Sequence, residues 1–96
     1  MDAAARQSMD RRLARIEGQI GGLRRMVADD KYCVDILTQL AAVRSALDQA
    51  GAELASSHVR TCILGHGTSS EHDHCKPMSQ DDLIDELTIT LSRLMR

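Results

Sequence analysis

The chain has 96 residues, a formal net charge of −2, and one aromatic side chain, Tyr32. This length allows one domain, over residues 1–96. The slightly negative net charge does not indicate nucleic-acid binding, so any such binding must depend on how the charges are distributed. An aliphatic composition with a single proline favours an all-α fold.

The N-terminal ten residues, MDAAARQSMD, lack the apolar region of a signal peptide, and no apolar run is long enough to span a membrane. We therefore expect a cytoplasmic protein. The three cysteines, Cys33, Cys62 and Cys75, are then expected to be reduced, so metal binding or redox sensing is favoured over structural disulfides.

A first helix is predicted from about Ser8 to Ala28, because apolar residues recur there at steps of three and four. These residues are Leu13, Ile16, Ile20, Leu23 and Val27. Three glycines, Gly18, Gly21 and Gly22, interrupt this pattern and suggest the close approach of another helix or of DNA.

The same helix is basic. Six arginines and two acidic residues lie between Arg6 and Arg25. Such a face can bind phosphates, although a solvated helix face is an equally good interpretation of the charge alone. The residues considered for DNA contact are Arg12, Arg15, Gln19, Arg24 and Arg25.

A second helix is predicted after an N-cap at Asp29 or Asp30 and continues to about Leu64. Its apolar positions form a coiled-coil seam over nearly three heptads: Ile36, Leu40, Val43, Leu47, Ala50 and Leu54. A seam in a short chain needs a partner helix. We therefore predict a helical hairpin, and an antiparallel four-helix bundle formed by helices 1 and 2 of two chains.

A polar loop follows, and Ser79 is the predicted N-cap of a third helix. The apolar face of that helix consists of Leu83, Ile84, Leu87, Leu91 and Leu94. The loop carries His66, His72, His74 and Cys75. The last three form a possible accessory metal site, although a flexible polar loop is the favoured interpretation.

His58 and Cys62 lie four residues apart, on one face of the second helix. This spacing alone is weak evidence for a metal site. Cys33 precedes His58 by 25 residues, or roughly 37 Å along a helix, so one helix cannot bring the two together. An antiparallel pair of second helices can, because its centre then falls near Ala46 and Leu47 in the middle of the seam. Two thiolates and one imidazole suit a three-coordinate Cu(I) ion.

The segment RRLARIEGQIGGLRRMVADDKYCVDILTQLAAVRSAL and the later HVRTC resemble the CsoR/RcnR family of metal-sensing repressors, in its copper-sensing branch. The resemblance implies three helices, dimers that pair into a homotetramer, and operator DNA that the metal-free protein binds and the inducer releases. It implies Cys33, His58 and Cys62 as Cu(I) ligands, Tyr32 and Glu86 as residues that hydrogen-bond around the ligand histidine, and Arg12 as a DNA contact.

The expected function is therefore Cu(I)-responsive transcriptional repression, without enzymatic activity. Nickel and cobalt sensors of the family use an early histidine, and here no histidine precedes His58. Two alternatives stay open: a thiol or persulfide sensor that uses Cys33 and Cys62, and a copper store without a role on DNA.

Overall fold

The computed structural model describes residues 1–69, 71 and 74–95, and the regular structure in these residues is entirely helical. Helix α1 spans Ala3–Ala28, α2 spans Cys33–His58 and α3 spans Gln80–Leu94. A five-residue π-helical segment, Val59–Ile63, continues α2 and is called the π segment below. The all-α prediction with three helices is confirmed, whereas the predicted dimer and tetramer stay predictions.

The chain divides into two compact units. The hairpin unit is Ala3–Leu54, and the C-terminal unit joins Met1–Asp2 to the residues from Ala55 onward. Each is described by itself, and the single-domain organisation stays a prediction. None of the described helices is long and apolar enough to cross a membrane.

In the hairpin unit, α1 and α2 run antiparallel and share one apolar core. Ser8, near the start of α1, donates a 2.8 Å hydrogen bond to Glu53, near the end of this part of α2. Between the two helices lie four buried residues, with Leu23 and Ala46 packed against them: Met9, Ile16, Val43 and Ala50. Met9 is therefore a core residue of the hairpin unit.

Only one of two apolar rows on each helix enters this core. Met9, Ile16 and Leu23 recur every seven residues along α1 and face α2. A second heptad row on α1 and a matching row on α2 remain 44% to 63% exposed: Leu13, Ile20 and Val27, and Leu40, Leu47 and Leu54. We call these six residues the open seam. Apolar surface of this extent is typical of a face that another chain covers.

The turn between α1 and α2 corrects the predicted cap. Asp30 adopts a left-handed backbone conformation with φ 54°, and its N–H donates to the Val27 carbonyl over 3.1 Å. The N–H of Lys31 donates to the Met26 carbonyl over 3.0 Å. These two bonds form the Schellman motif that closes a helix. Asp29 and Asp30 therefore end α1 instead of capping α2. The sequence was ambiguous here, because a short polar residue that tolerates the left-handed region is suited to either end of a helix.

The glycines of α1 do not mark a close helix contact within the described chain. A Cβ added at Gly18 would meet no atom within 4 Å. At Gly21 and Gly22 it would meet only the guanidinium of Arg25, at 3.7 and 3.8 Å. No other helix of the described chain therefore approaches these glycines, and the approach of a helix from another chain or of DNA stays a prediction.

The C-terminal unit is built around the contact of α3 with the π segment. Leu83 of α3 and Cys62 are each 1% exposed, and Ile63 is 4% exposed. The side chain of Gln80 donates a 2.8 Å hydrogen bond to the Ile63 carbonyl. As predicted, Ser79 is the N-cap of α3, since its hydroxyl accepts a 3.1 Å bond from the N–H of Asp82.

The cap gives a test of this local structure. Replacing Ser79 with Ala should lower the free energy of unfolding by about 1 kcal/mol, because the N–H of Asp82 loses its acceptor. Ser92→Ala is the matched control in the same helix, where the hydroxyl bonds only to the Thr88 carbonyl of the preceding turn. Urea unfolding followed by circular dichroism should show little change for this control. Equal losses in both variants would contradict the cap.

Candidate metal centre and nucleic-acid face

Cys33 is the first residue of α2, and its thiol is free and exposed. Tyr32 precedes it, and the Tyr32 carbonyl accepts hydrogen bonds from the N–H groups of Asp35 and Ile36 at 3.0 and 3.2 Å. The backbone of Tyr32 thus begins α2, while its side chain is 69% exposed. Both residues therefore present their side chains outward at the start of the helix.

His58 is the last residue of α2, and Cys62 lies in the π segment one turn later. The N–H of Leu64 donates to the Val59 carbonyl over 2.7 Å, an i to i+5 bond that widens this turn. His58 is half-buried, whereas Cys62 is 1% exposed. The two predicted ligands thus stand on successive turns, in a type of local structure that is frequent at functional sites.

Cys62 is bonded to Cys75, with 5.4 Å between their Cα atoms and a sequence separation of 13. The expectation that all three cysteines are reduced is therefore wrong for this structure. The cause is the chain path: α3 packs on the π segment, so the residues just before α3 return to Cys62. The Cα separation lies in the usual range for a disulfide.

The structure does not bring the three predicted ligands together within one chain. Cys33 and His58 occupy opposite ends of α2. Among residues 1–69, 71 and 74–95, no group of three His, Cys, Asp or Glu side chains is arranged to hold a metal ion. A site made from Cys33, His58 and Cys62 therefore needs two chains, and it needs the sulfur of Cys62 released from Cys75.

Glu86, the residue expected beside the ligand histidine, contacts Lys76 in this chain. The Lys76 Nζ lies 2.8 Å from a Glu86 carboxylate oxygen. The hydrogen bond to Glu86, followed by its charge, raises the pKa of Lys76. Both side chains are substantially exposed, at 65% and 37%, so this pair contributes little to stability.

The possible accessory metal site is not assembled in the described residues. Cys75 is engaged with Cys62, and His74 is exposed. His72 lies outside the described residues. The ring of His66 hydrogen-bonds the Met78 carbonyl over 2.7 Å, which ties the start of the loop to its end.

The arginines of α1 divide into one that is paired and several that are exposed. Arg12 forms an ion pair with Glu53, the carboxylate that also accepts from Ser8. Arg15, Gln19, Arg24 and Arg25 are exposed. Arg12, Arg15 and Gln19 follow steps of three and four and share one side of α1, whereas Arg24 and Arg25 lie elsewhere around the helix.

Two residues that matter for these sites were missed in the sequence. Glu53 pairs with Arg12 because the hairpin is antiparallel, and the predicted hairpin register could have found it. Cys75 was considered only as a metal ligand. The odd number of cysteines indicated that a pair would leave one thiol over, but not which two residues pair.

A family model described as metal-sensitive transcriptional repressor matches residues 5–93. The chain therefore belongs to this family of repressors. The resemblance found in the sequence is confirmed.

Among individual proteins, the chain is similar to the copper-sensing transcriptional repressor RicR of Mycobacterium tuberculosis (strain ATCC 25618 / H37Rv), with 47% identity over 53 residues, 55% of each chain. It is 46% identical over 52 residues to the copper-sensing transcriptional repressor CsoR of Bacillus subtilis (strain 168), covering 54% of this chain and 52% of that one. The matched part thus spans about half the length of these curated relatives.

The crystal structure of the copper-sensing repressor CsoR with Cu(I) from Geobacillus thermodenitrificans NG80-2 has the same fold. Its TM-score is 0.79 at 29% identity, over all of this chain and 92% of that chain. The three-helix architecture is therefore shared along the full length described here.

The Arg12–Glu53 pair can be tested by a double-mutant cycle. Arg12→Met and Glu53→Gln, made singly and together, should show a coupling of about 0.5–1 kcal/mol in urea unfolding, because the pair is partly shielded from water. Arg15→Met combined with Glu53→Gln is the matched control and should be additive. A coupling of zero for the first pair would show that the contact does not stabilise the hairpin unit.

Proposed function

We propose that this chain is a Cu(I)-responsive transcriptional repressor, which binds operator DNA without copper and leaves it when Cu(I) binds between two chains. One observation carries the proposal: Cys33 continues the exposed heptad row of α2, at the opposite end of that helix from His58. The names of the similar repressors support copper as the inducer.

The open seam supports the second chain. Cys33, Leu40, Leu47 and Leu54 recur every seven residues, so they share one face of α2. His58 follows Leu54 by four residues and extends that face. In an antiparallel pair of α2 helices centred near Leu47, Cys33 of one chain lies opposite the His58–Cys62 end of the other. The two-fold symmetry of such a dimer produces two identical sites.

A groove at the turn of the hairpin also favours a partner helix. It encloses about 390 Å³ between α1 and α2 and is lined mainly by aliphatic side chains, including Ile20, Leu23, Ile36 and Leu40. Three residues that line the groove, Ile20, Val27 and Leu40, belong to the open seam. A second chain that covers the seam would therefore fill the groove as well.

The donor set fits Cu(I) once Cys62 is reduced. Cys33, His58 and Cys62 would supply two soft sulfurs and one imidazole nitrogen, the ligand types that this ion prefers. When bound, Cu(I) would link two chains through these side chains. Two residues are proposed to hydrogen-bond around the ligand histidine. One is Tyr32, next to Cys33. The other is Glu86, which would give up its contact with Lys76.

The proposed DNA face is on α1. Arg15, Gln19, Arg24 and Arg25 are exposed and can reach phosphates, and Arg12 can do so by leaving Glu53. Phosphate contacts depend on the spacing of arginines from several chains, in the proposed homotetramer. Cu(I) bound by ligands from two chains would favour one spacing of these arginines. Cu(I) binding and DNA binding are then coupled, with a coupling free energy that is typically about 1–3 kcal/mol.

A thiol-sensing repressor is the second candidate. The Cys62–Cys75 bond supports it only in that one of its two proposed sulfurs, Cys62, is part of a disulfide in this structure. Under that hypothesis Cys33 and Cys62 of two chains are bridged by sulfur and His58 is not a ligand. A copper store differs from both repressors, since its metal-free form has no specific affinity for DNA.

The test is fluorescence anisotropy of a labelled duplex from the protein's own promoter. The reduced, metal-free protein should bind it specifically and leave it after about one Cu(I) per chain, under anaerobic conditions. A scrambled duplex of equal length is the control. Specific binding that ignores Cu(I) would contradict copper as inducer, and absence of specific binding would favour the copper store.

His58→Ala separates copper from sulfur as the inducer. It should weaken the response to Cu(I) by more than the 10–100-fold typical of residues that only support a ligand, while DNA binding without copper stays intact. His66→Ala, an exposed histidine outside both the proposed site and the possible accessory metal site, is the matched control and should respond like the wild type. Loss of the Cu(I) response in both variants, or in neither, would contradict the role of His58.

A further inference from the structure

The sulfur of Cys62 has two mutually exclusive uses in this chain. It is bonded to Cys75 in the structure, and the proposed function needs it as a Cu(I) ligand. A metal binds a cysteine through its thiolate, which a disulfide does not offer. Cys75 is outside the proposed ligand set, so its bond to Cys62 occupies one ligand of that set without adding another.

Contacts other than the disulfide keep the two cysteines close. Beside Cys62, the Ile63 carbonyl accepts a 2.8 Å bond from the side chain of Gln80. Beside Cys75, Lys76 pairs with Glu86 of α3 at 2.8 Å. The buried side chain of Leu83 lies in the same α3 helix. The carbonyl beside Cys62 is thus bonded to α3 by a contact other than the S–S bond, and Cys75 lies only five residues before the start of α3, so the path of the chain keeps the two cysteines near each other.

We propose that Cys62 and Cys75 form a redox pair that gates the copper site: the reduced pair leaves Cys62 available to Cu(I), and the disulfide withholds it. This inference rests on the proposed function for its consequence, but the pair itself does not depend on it. The oxidant is a low-molecular-weight disulfide, the chemical class that exchanges with protein thiols.

The two exchange steps follow from the exposure of the two sulfurs. Cys75 is half-buried in the loop and Cys62 is 1% exposed, so Cys75 meets the oxidant first. The Cys75 thiolate attacks one sulfur of the small disulfide and releases one small thiolate. The Cys62 thiolate then attacks the Cys75 sulfur and releases the second. The protein loses two protons and two electrons, and the oxidant becomes two thiols.

The gate should not disturb the proposed DNA face. The disulfide joins two residues of one chain, so it does not form the link between chains through which Cu(I) is proposed to change the spacing of the arginines. The oxidised protein is therefore expected to bind operator DNA as the reduced protein does, and to stay bound when Cu(I) is added. In this state the repressor ignores copper.

The experiment compares the wild type, Cys75→Ser and Cys33→Ser after equilibration with glutathione buffers in which the reduced form is in excess. In such a buffer a single thiol stays mostly reduced, whereas two neighbouring thiols close a disulfide because of their high effective concentration. After the buffer is removed anaerobically, intact mass and a non-reducing gel report the disulfide. Competition with a chromogenic Cu(I) chelator reports copper binding.

The wild type and Cys33→Ser should lose two hydrogens and remain single chains on the gel, whereas Cys75→Ser should keep its thiols. The oxidised wild type should bind Cu(I) at least tenfold more weakly than the reduced wild type, and Cys75→Ser should bind like the reduced wild type in every buffer. Three results would each overturn the gate. The wild type could keep three thiols, it could form a disulfide between two chains that requires Cys33, or the oxidised protein could bind Cu(I) as strongly as the reduced protein.

Failure of the proposed function gives a different pattern. If the reduced wild type and reduced Cys75→Ser both fail to bind Cu(I), the copper-sensing proposal is wrong. In that case the proposal that the disulfide controls copper binding is wrong as well. The mass measurement still reports whether Cys62 and Cys75 form a disulfide. If both reduced proteins bind Cu(I) and only the oxidised comparison fails, the copper proposal stands and the gate alone is overturned.

Discussion

A continuous helix keeps its two ends apart, and α2 imposes this separation on Cys33 and His58. The helix spans 26 residues, so at ~1.5 Å per residue its ends are roughly 37 Å apart. No side-chain rotation crosses that distance. Any chemistry that needs both residues must therefore come from two chains. In this way the length of one helix connects the question of metal binding to the question of assembly.

The apolar surface of the hairpin unit is divided into a buried part and an exposed part, as expected for a chain that needs a second chain. One heptad row of each helix closes the hairpin unit, through residues such as Ile16 and Val43. The open seam remains in contact with solvent in the single chain. Burial of a fully exposed leucine or isoleucine contributes about 1.5–3 kcal/mol. The six residues of the open seam are only 44% to 63% exposed, so covering each contributes roughly half of that, which for six residues is still a substantial driving force for association. A 96-residue chain buries only a modest fraction of its surface by itself, so this additional burial is important for its stability.

Periodicity in the sequence predicted the three helices well, because apolar spacing reports directly which face of a helix is buried. Ser79 was also found correctly, since a serine that precedes two acidic residues in the first turn of an apolar helical pattern is a typical N-cap. The start of α1 at Ala3 was missed, because its first residues have helix propensity but no apolar period. Asp30 was assigned to the wrong helix, since capping residues at the two ends of a helix overlap in type.

The long-range contacts were the least predictable. The bond between Cys62 and Cys75 depends on how α3 returns to the π segment, and a polar loop carries no periodic signal of its path. The ligand set of Cys33, His58 and Cys62 came from helix geometry together with the family resemblance. The single chain is consistent with it but does not assemble it. The identity of the ligands therefore stays a prediction, whereas the bond of Cys62 to Cys75 is a chemical state that the sequence did not predict.

The short link between α1 and α2 has a consequence for the thermodynamics of assembly. Only four residues separate the two helices, and the N–H groups of Asp30 and Lys31 are both used to close α1. The hairpin therefore has little freedom to change its register, and its two exposed rows form a single surface before a second chain arrives. Ordering of the hairpin does not have to be part of the association step, so less conformational entropy is lost on binding.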